Sequence, residues 1–239
     1  SWSGSTEGNI GDDYGFLYSV SAAAANDVWA VGQRVSTEGG FPLIEHWDGS
    51  SWNVTPSTVS GLFNDVVAIS SNDVWAVGSK SCTNPSIPCP LVQQYTNGTW
   101  TDRSPTLPTE ISYAQFLSVS ASAPDDIWVV GSGQVLVGVQ YTIRPVVAHW
   151  NGSTWDVFTS LEKGDAGTVD NHLFTISVIA NNDVWAVGRK SCIATNSCVL
   201  AVHFDGNTWT EVATPNTTTV NGNEEPIGEI GKEVAFAPP

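Results

Sequence analysis

The sequence has no methionine and few bases: 8 Lys and Arg stand against 24 Asp and Glu in 239 residues, giving a formal net charge of −16. A nucleic-acid-binding protein needs a field of basic side chains to displace counterions from phosphates, and eight scattered bases do not form one. An anionic membrane surface is disfavoured for the same reason. No apolar run approaches the ~20 residues of a membrane-spanning helix. Composition therefore predicts neither a nucleic-acid partner nor a membrane span.

The chain is rich instead in tryptophan, glycine and proline, with 11, 22 and 13 residues respectively. Hydrophobic residues make up 41% of it, enough for a sizeable core, so global disorder is not expected. Helical periodicity is absent throughout. Because the flexible gap-filler methionine is missing while the largest rigid side chain is abundant, we predict a repetitive structure packed with tryptophan.

A repeat of about 50 residues runs through the chain. Its first signal, Asp-Val-Trp-Ala-Val-Gly, occurs three times in this form and once as Asp-Ile-Trp-Val-Val-Gly. The aspartates and tryptophans of the four copies are Asp27 and Trp29, Asp73 and Trp75, Asp126 and Trp128, and Asp183 and Trp185. A second signal, an Asp-Gly or Asn-Gly pair between two aromatic residues, follows each copy. The first copy predicts strands at 17–22, 27–32, 42–47 and 51–55, with the glycine pair in a tight turn before the last.

Both faces of the second strand are apolar, and the first strand consists of small Ser, Ala and Val residues. Small sheets stacked face to face around a crowded axis satisfy both features. We therefore predict an all-β fold, a β-propeller of four-stranded antiparallel blades. The repeated signals resemble kelch-type and tectonin-type β-propeller repeats of bacterial type over nearly the whole chain. The resemblance implies a propeller and, because several tectonin-type propellers are lectins, carbohydrate binding.

We expect a single propeller domain with repeats at about 16–61, 62–113, 114–170 and 171–230. Residues 1–15 and 231–239 match only a last and a first strand, which predicts a partial fifth blade formed by the termini. Three interpretations stay open: an abbreviated blade, a fragment of a longer array, or a blade completed by a neighbouring chain. A start at Ser1 without an initiator methionine or a signal-peptide pattern is expected of a processed form or a piece of a longer chain.

Residues that recur in every repeat are predicted to serve the scaffold. The four repeated aspartates are expected to accept hydrogen bonds from the backbone of the turn that they occupy. Three histidines, His46, His149 and His203, share one position in three different blades. They are too dispersed to ligate one metal ion and are expected to form hydrogen bonds between blades. No metal or cofactor is predicted.

The four cysteines form two close pairs in equivalent loops, Cys82 with Cys89 and Cys192 with Cys198. Neither pair has Cys-x-x-Cys spacing, which argues against zinc, and the two loops are a whole blade apart, which favours local disulfides. Two disulfides predict an oxidising compartment, hence an extracellular or cell-surface location. The N-glycosylation pattern fits Asn53, Asn97, Asn151 and Asn216. For Asn97 and Asn151, the preference of an Asn-Gly turn for asparagine is an alternative explanation of why this residue is present.

The irregular segments fall on one side of the predicted disc, where the second strand connects to the third and each blade to the next. They are 33–41, 101–113, 132–144, 156–171, 211–229 and the two cysteine loops. Variable loops on a rigid scaffold usually carry binding. Acidic residues collect on this side: Glu110, Glu162, Asp165, Asp170, Glu224, Glu225 and Glu229. The candidate ligand-binding residues there are Tyr14, Arg34, Phe41, Lys80, Tyr113, Tyr141, Arg144, Asp170, His172 and Arg189.

Aromatic rings with carboxylate partners suit sugars, so the first functional hypothesis is a non-enzymatic, extracellular or cell-surface module that binds glycans or surface proteins. The alternative is a structural segment of an adhesin, surface layer or extracellular assembly, with self-assembly completing the partial blade. A propeller glycosidase or lyase would need paired carboxylates, and nothing in the sequence pairs Asp165, Asp170 or Glu225. Motifs of a nucleophile elbow, an EF-hand, a Walker loop or a dinucleotide site are absent. No enzymatic activity is predicted.

Overall fold

The computed structural model describes residues 13–55, 59–82, 88–158, 170–191 and 197–214. Within these ranges sixteen strands form four antiparallel four-stranded sheets, each with its strands in chain order. Blade 1 contains β1 (Tyr14–Ala24), β2 (Asp27–Ser36), β3 (Gly39–Trp47) and β4 (Trp52–Thr55), and blade 2 contains β5 (Gly61–Ser70), β6 (Asp73–Ser81), β7 (Pro88–Thr96) and β8 (Thr99–Asp102). Blade 3 contains β9 (Ile111–Ala123), β10 (Asp126–Val137), β11 (Gln140–Trp150) and β12 (Trp155–Phe158), and blade 4 contains β13 (His172–Ala180), β14 (Asp183–Lys190), β15 (Cys198–Phe204) and β16 (Trp209–Glu211).

The first strands of the blades lie next to one another at the centre. Contacts join β1 to β5, β5 to β9 and β9 to β13, while the later strands of each sheet lie progressively further out. This arrangement confirms the predicted all-β propeller of four-stranded antiparallel blades. Of the residues assigned to a partial fifth blade, 1–15 and 231–239, Tyr14 and Gly15 belong to β1 of blade 1, and 1–12 and 231–239 lie outside the described residues.

The repeated tryptophans fill the spaces between blades. Trp29, Trp75 and Trp128 are at most 1% exposed. Each contacts two aromatic rings of the following blade, at centroid distances of 4.6 to 6.1 Å. The partner rings are Tyr95 and Trp100, Trp150 and Trp155, and Phe204 and Trp209. A rigid ring that meets the same kind of partner at each interface needs no flexible gap-filler, which accounts for tryptophan without methionine.

The glycine that ends the repeated motif accommodates a bulge in the first strand. A β-carbon at Gly78 would stand 2.1 Å from the carbonyl oxygen of Leu62, and Gly32, Gly131 and Gly188 are equally crowded by backbone. In β5 the pairing register shifts directly after Phe63, which lies opposite Gly78. The bulge brings the backbone of the first strand so close to the second that only glycine fits.

The prediction of irregular structure is wrong for two segments, because both continue as strands. In 33–41, β2 runs to Ser36 and β3 resumes at Gly39. In 132–144, β10 and β11 pair continuously up to a turn at Gly138, where φ is +64°, and Val139. The valine-rich alternation of this segment favours a half-buried strand, so the sheet of blade 3 extends further than its neighbours on the side of the predicted functional face.

Candidate functional site

The repeated aspartates accept hydrogen bonds from side chains of their own blade, and Asp27 also from Ser71 of blade 2, rather than from the turn backbone expected for them. In blade 3, Asp126 Oδ1 accepts hydrogen bonds from Trp128 Nε1 at 2.8 Å and His149 Nε2 at 2.8 Å. The histidine ring stacks on the indole at a centroid distance of 4.0 Å. Blade 4 repeats the arrangement with Asp183, and in blade 2 an amide takes the place of the histidine. These histidines therefore act within a blade, and not between blades as expected.

The extended part of blade 3 carries five side chains on one face, which we call the blade 3 wall. Gln134 of β10 lies opposite Tyr113 of β9 on one side and Ile143 of β11 on the other. Leu136 lies opposite Tyr141. Because directly opposed residues share a face of a sheet, Tyr113, Gln134, Leu136, Tyr141 and Ile143 form a single surface.

The blade 3 wall faces blade 4. Val135 and Val146 alternate with its members and are buried in the core that blades 2 and 3 share. Successive side chains of a strand point to opposite faces, so the wall residues point the other way, toward the space above blade 4. Tyr141 is 54% exposed and Leu136 is 40% exposed. The upper wall is therefore an accessible apolar surface.

Three polar side chains of blade 4 form a floor beside this wall. Asp170 Oδ1 accepts a hydrogen bond from His172 Nε2 at 2.5 Å, and its Oδ2 accepts one from Arg189 Nη2 at 2.6 Å. His172 and Arg189 are opposite neighbours on β13 and β14. We call Asp170, His172 and Arg189 the blade 4 floor, and the space between floor and wall the groove.

The backbone around Asp170 is held to both blades. Asn171 donates its N–H to the carbonyl oxygen of Ile143 at 3.1 Å, and Ile143 forms a parallel bridge with Asp170. The backbone N–H of Asp170 donates to Ser191 Oγ at 2.9 Å. These contacts place the carboxylate where the connection from blade 3 enters blade 4.

The environment shifts the pKa values of one floor residue, Asp170, and of one wall residue, Tyr113. Partial burial raises the pKa of Asp170, but the hydrogen bond from His172 and the charges of His172 and Arg189 outweigh it, and the pKa is lowered from 3.8. Burial, followed by the negative charge of Asp170, raises the pKa of Tyr113 above 10.0. At neutral pH the groove therefore presents an ionised carboxylate beside a neutral phenol.

Five of the ten candidate residues belong to the wall or the floor: Tyr113, Tyr141, Asp170, His172 and Arg189. The structure does not bring the other five to the groove. On blade 1, Tyr14 is 75% exposed, and Arg34 pairs with Asp13 at 3.5 Å and lies over the Phe41 ring at 5.6 Å.

The two remaining candidates are engaged on other surfaces. In blade 2, Lys80 forms an ion pair with Asp102. Arg144 donates from Nε to Thr142 Oγ1 at 3.3 Å, on the face of blade 3 turned toward blade 2. The predicted acidic residues Glu162, Asp165, Glu224, Glu225 and Glu229 lie outside the described residues.

The structure confirms one predicted disulfide and leaves the other partly outside the described residues. Cys82 and Cys89 are bonded, with their α-carbons 5.4 Å apart. Cys198 is also disulfide-bonded, and its predicted partner Cys192 lies outside the described residues.

Within the described ranges no group of three or more His, Cys, Asp and Glu residues could hold a metal ion. In the same ranges no helix is long and apolar enough to cross a bilayer.

Sequence reasoning missed Asp65, which ties three inner strands together. Its carboxylate accepts hydrogen bonds from Ser19 Oγ at 2.6 Å, from Ser118 Oγ at 2.8 Å and from the Val119 N–H at 2.9 Å. Asp65 is the only carboxylate in the four inner strands β1, β5, β9 and β13. The equivalent positions of β1 and β9 hold Ser19 and Ser118, and that departure from recurrence could have identified it.

Comparison with known proteins gave no matching family model and no matching curated protein, so no family match accompanies the kelch and tectonin resemblance. Solved structures do match. The chain is similar to "YCF48 bound to D1 peptide", at 13% identity over 82% of this chain and 66% of that chain, with a TM-score of 0.40. It is also similar to a thermostable family-43 glycoside hydrolase, at 10% identity over 84% and 76% of the two chains, with a TM-score of 0.45.

A third similar structure is a xylan β-1,4-xylosidase from Bacillus halodurans C-125, at 10% identity over 82% of this chain and 42% of that chain, with a TM-score of 0.42. The chain thus spans just under two thirds of the first of these proteins and less than half of the third. At these identities the similarity concerns architecture alone, and neither ligand nor activity is transferred from it.

Proposed function

We propose that this protein is a non-enzymatic binding module that recognises glycans in the groove between the blade 3 wall and the blade 4 floor. The observation that carries the proposal is the ionised carboxylate of Asp170, held by His172 and Arg189 beside the ring of Tyr113. None of these residues belongs to the repeated scaffold motif, so the structure of the blades does not account for them.

The groove supplies the two kinds of contact that sugars use. Tyrosine rings offer flat surfaces for the C–H faces of a pyranose, and few polar groups among apolar ones fix its orientation. Each oxygen of Asp170 receives one hydrogen bond and retains a further lone pair for a hydroxyl donor. Arg189 donates to Oδ2 and fixes the orientation of this carboxylate.

The Cys82–Cys89 disulfide supports an extracellular or cell-surface setting for this binding. Disulfides persist in oxidising compartments and are rare in the cytosol. The bridge lies at the start of β7, in the connection from β6, on the same side of the disc as the groove. A disulfide in this position stiffens the binding face, and the oxidising extracellular compartment in which it persists is also where glycans are displayed.

A glycan array probed with matched variants tests the proposal. We expect the wild-type protein to bind a defined set of glycans, and Tyr113→Ala and Asp170→Asn to weaken that binding by about tenfold or more, equivalent to ~1.4 kcal/mol. Tyr14→Ala is the control, because Tyr14 occupies the position of β1 that corresponds to Tyr113 in β9 and lies outside the groove. An array without hits, or variants that bind as well as the control, would contradict the proposal.

The same samples test the catalytic alternative. A glycosidase requires two carboxyl groups, one of them a general acid with a raised pKa. The floor and wall residues include one carboxyl group, Asp170, and its pKa is lowered. Incubation with a glycan that binds should therefore release no reducing sugar above the level of the Asp170→Asn variant. Release that depends on Asp170 would replace the binding module with an enzyme.

A further inference from the structure

The two tyrosines of the blade 3 wall are separated by more than one sugar ring. Tyr113 lies on β9 and Tyr141 on β11, two strands further from the axis, and Tyr141 is two residues beyond Ile143, which shares the level of Tyr113. With ~4.8 Å between strands and ~3.4 Å per residue, their α-carbons are roughly 12 Å apart. A pyranose stacked on one ring therefore leaves the other uncovered.

The exposure of Tyr141 has no structural reason within the described residues. Its cross-strand partner Leu136 is itself 40% exposed, and neither side chain belongs to a buried cluster. The ten residues of 134–143 contain no charged side chain. An aromatic ring held at this height on a rigid hairpin adds contact area for a ligand that already touches the floor.

The charge of the groove selects among glycans. Arg189 balances Asp170, and the five wall residues are uncharged. The exposed Glu110, whose carbonyl oxygen accepts a hydrogen bond from the Leu136 N–H at 2.7 Å, adds a negative charge next to the wall. The chain as a whole carries −16, which repels polyanionic glycans over the range of a Debye length. Neutral sugar units meet no such penalty.

Resting on the proposed function, we propose that the groove binds an internal stretch of a linear, neutral oligosaccharide of at least three units. One unit stacks on Tyr113 with its hydroxyls on Asp170, and a unit further along the chain stacks on Tyr141. The ligand runs radially, from the inner strand β9 toward β11.

Calorimetric titration with cello-, xylo- and chito-oligosaccharides of one to six units tests this inference. In the series that binds, we expect affinity to rise roughly tenfold or more between one and three units and then to level off. Tyr141→Ala should remove that gain while leaving the affinity for the monosaccharide unchanged. Tyr113→Ala should weaken binding at every length. Val137→Ala, on the opposite face of the same hairpin, is the control for hairpin integrity and should match the wild type.

The outcomes separate this inference from the proposed function. Binding that depends on Tyr113 but not on ligand length or Tyr141 would overturn the oligosaccharide and leave the binding module standing. A preference for charged over neutral oligosaccharides would also overturn it. An absence of binding in all three series and on the glycan array would overturn the proposed function as well.

Discussion

Asp126 is 5% exposed, and its carboxylate accepts hydrogen bonds from the indole of Trp128 and the imidazole of His149, which stack on each other. A third donor, the hydroxyl of Ser122, bonds its other oxygen. Removing the acceptor would leave the indole N–H of the fully buried Trp128 without a partner, which costs more than the hydrogen bond itself contributes. The equivalent Asp183 in blade 4 makes the same contacts with a side chain that is 41% exposed, where water can replace the lost acceptor.

This difference in exposure predicts different costs for one substitution. Asp126→Ala should lower the free energy of unfolding by about 2–4 kcal/mol, and Asp183→Ala by less than half of that. Urea denaturation followed by tryptophan fluorescence measures both, with equal m-values as the check that the unfolded states are comparable. Equal losses in the two variants would show that the aspartates act through the turn backbone, as the sequence suggested, and not through the buried rings.

At the scale of the element, the recurring glycine and the bulge opposite it are one feature. A methyl group at Gly78 would meet backbone atoms of Leu62 and Phe63, which cannot move without breaking the pairing of β5 with β6. A methyl group at Gly40 would meet only the flexible end of Gln33. We expect Gly78→Ala to destabilise the protein by about 2–3 kcal/mol and Gly40→Ala to change stability by about 0.5 kcal/mol or less. Thermal unfolding of the two variants tests this difference. Similar midpoint temperatures would mean that the bulge rearranges at little cost in stability.

The sequence predicts the elements because their signals are local and repeated. The motif around Trp29 and the Asn97–Gly98 turn, whose φ values are 51° and 81°, each need only a few neighbouring residues. The upward extension of blade 3 is missed because 132–144 carries no repeat signal and its valines were assigned to a loop. The β-strand alternation was present there, and the departure from the repeat concealed it.

The groove illustrates what a sequence pattern leaves undetermined. Tyr113 and Asp170 belong to different repeats, and their proximity depends on the register of β9 with β10 and on the bridge from Asp170 to Ile143. Loop composition predicts a functional face, but it weights Arg34 and Lys80 equally with Arg189. Only the contacts show that the first two are paired with Asp13 and Asp102 in other blades, whereas Arg189 is paired with Asp170.

At the scale of the whole molecule, the tryptophans form a chain of contacts that runs in one direction around the axis. The ring of each blade packs against the outer aromatic pair of the next, from Trp29 through Trp75 to Trp128. Trp185 occupies the same position in blade 4 but is only partly buried, and among the described residues its one aromatic neighbour is His203, at 4.3 Å. The contribution of the repeated tryptophan to the free energy of unfolding therefore depends on the blade in which it lies.

This directionality predicts unequal costs for the same truncation in two blades. Trp128→Ala removes a fully buried ring from the interface between blades 3 and 4 and should cost about 3–5 kcal/mol, the range for large aromatic cavities. Trp185→Ala removes a ring with fewer partners and should cost less than half as much, because the surroundings have less to lose and water already reaches the site. Chemical denaturation of the two variants measures the difference, and near-ultraviolet circular dichroism checks that each remains folded. Equal costs would mean that Trp185 is packed as tightly as its equivalents, against residues beyond the four described blades, and that the series of contacts continues past blade 4.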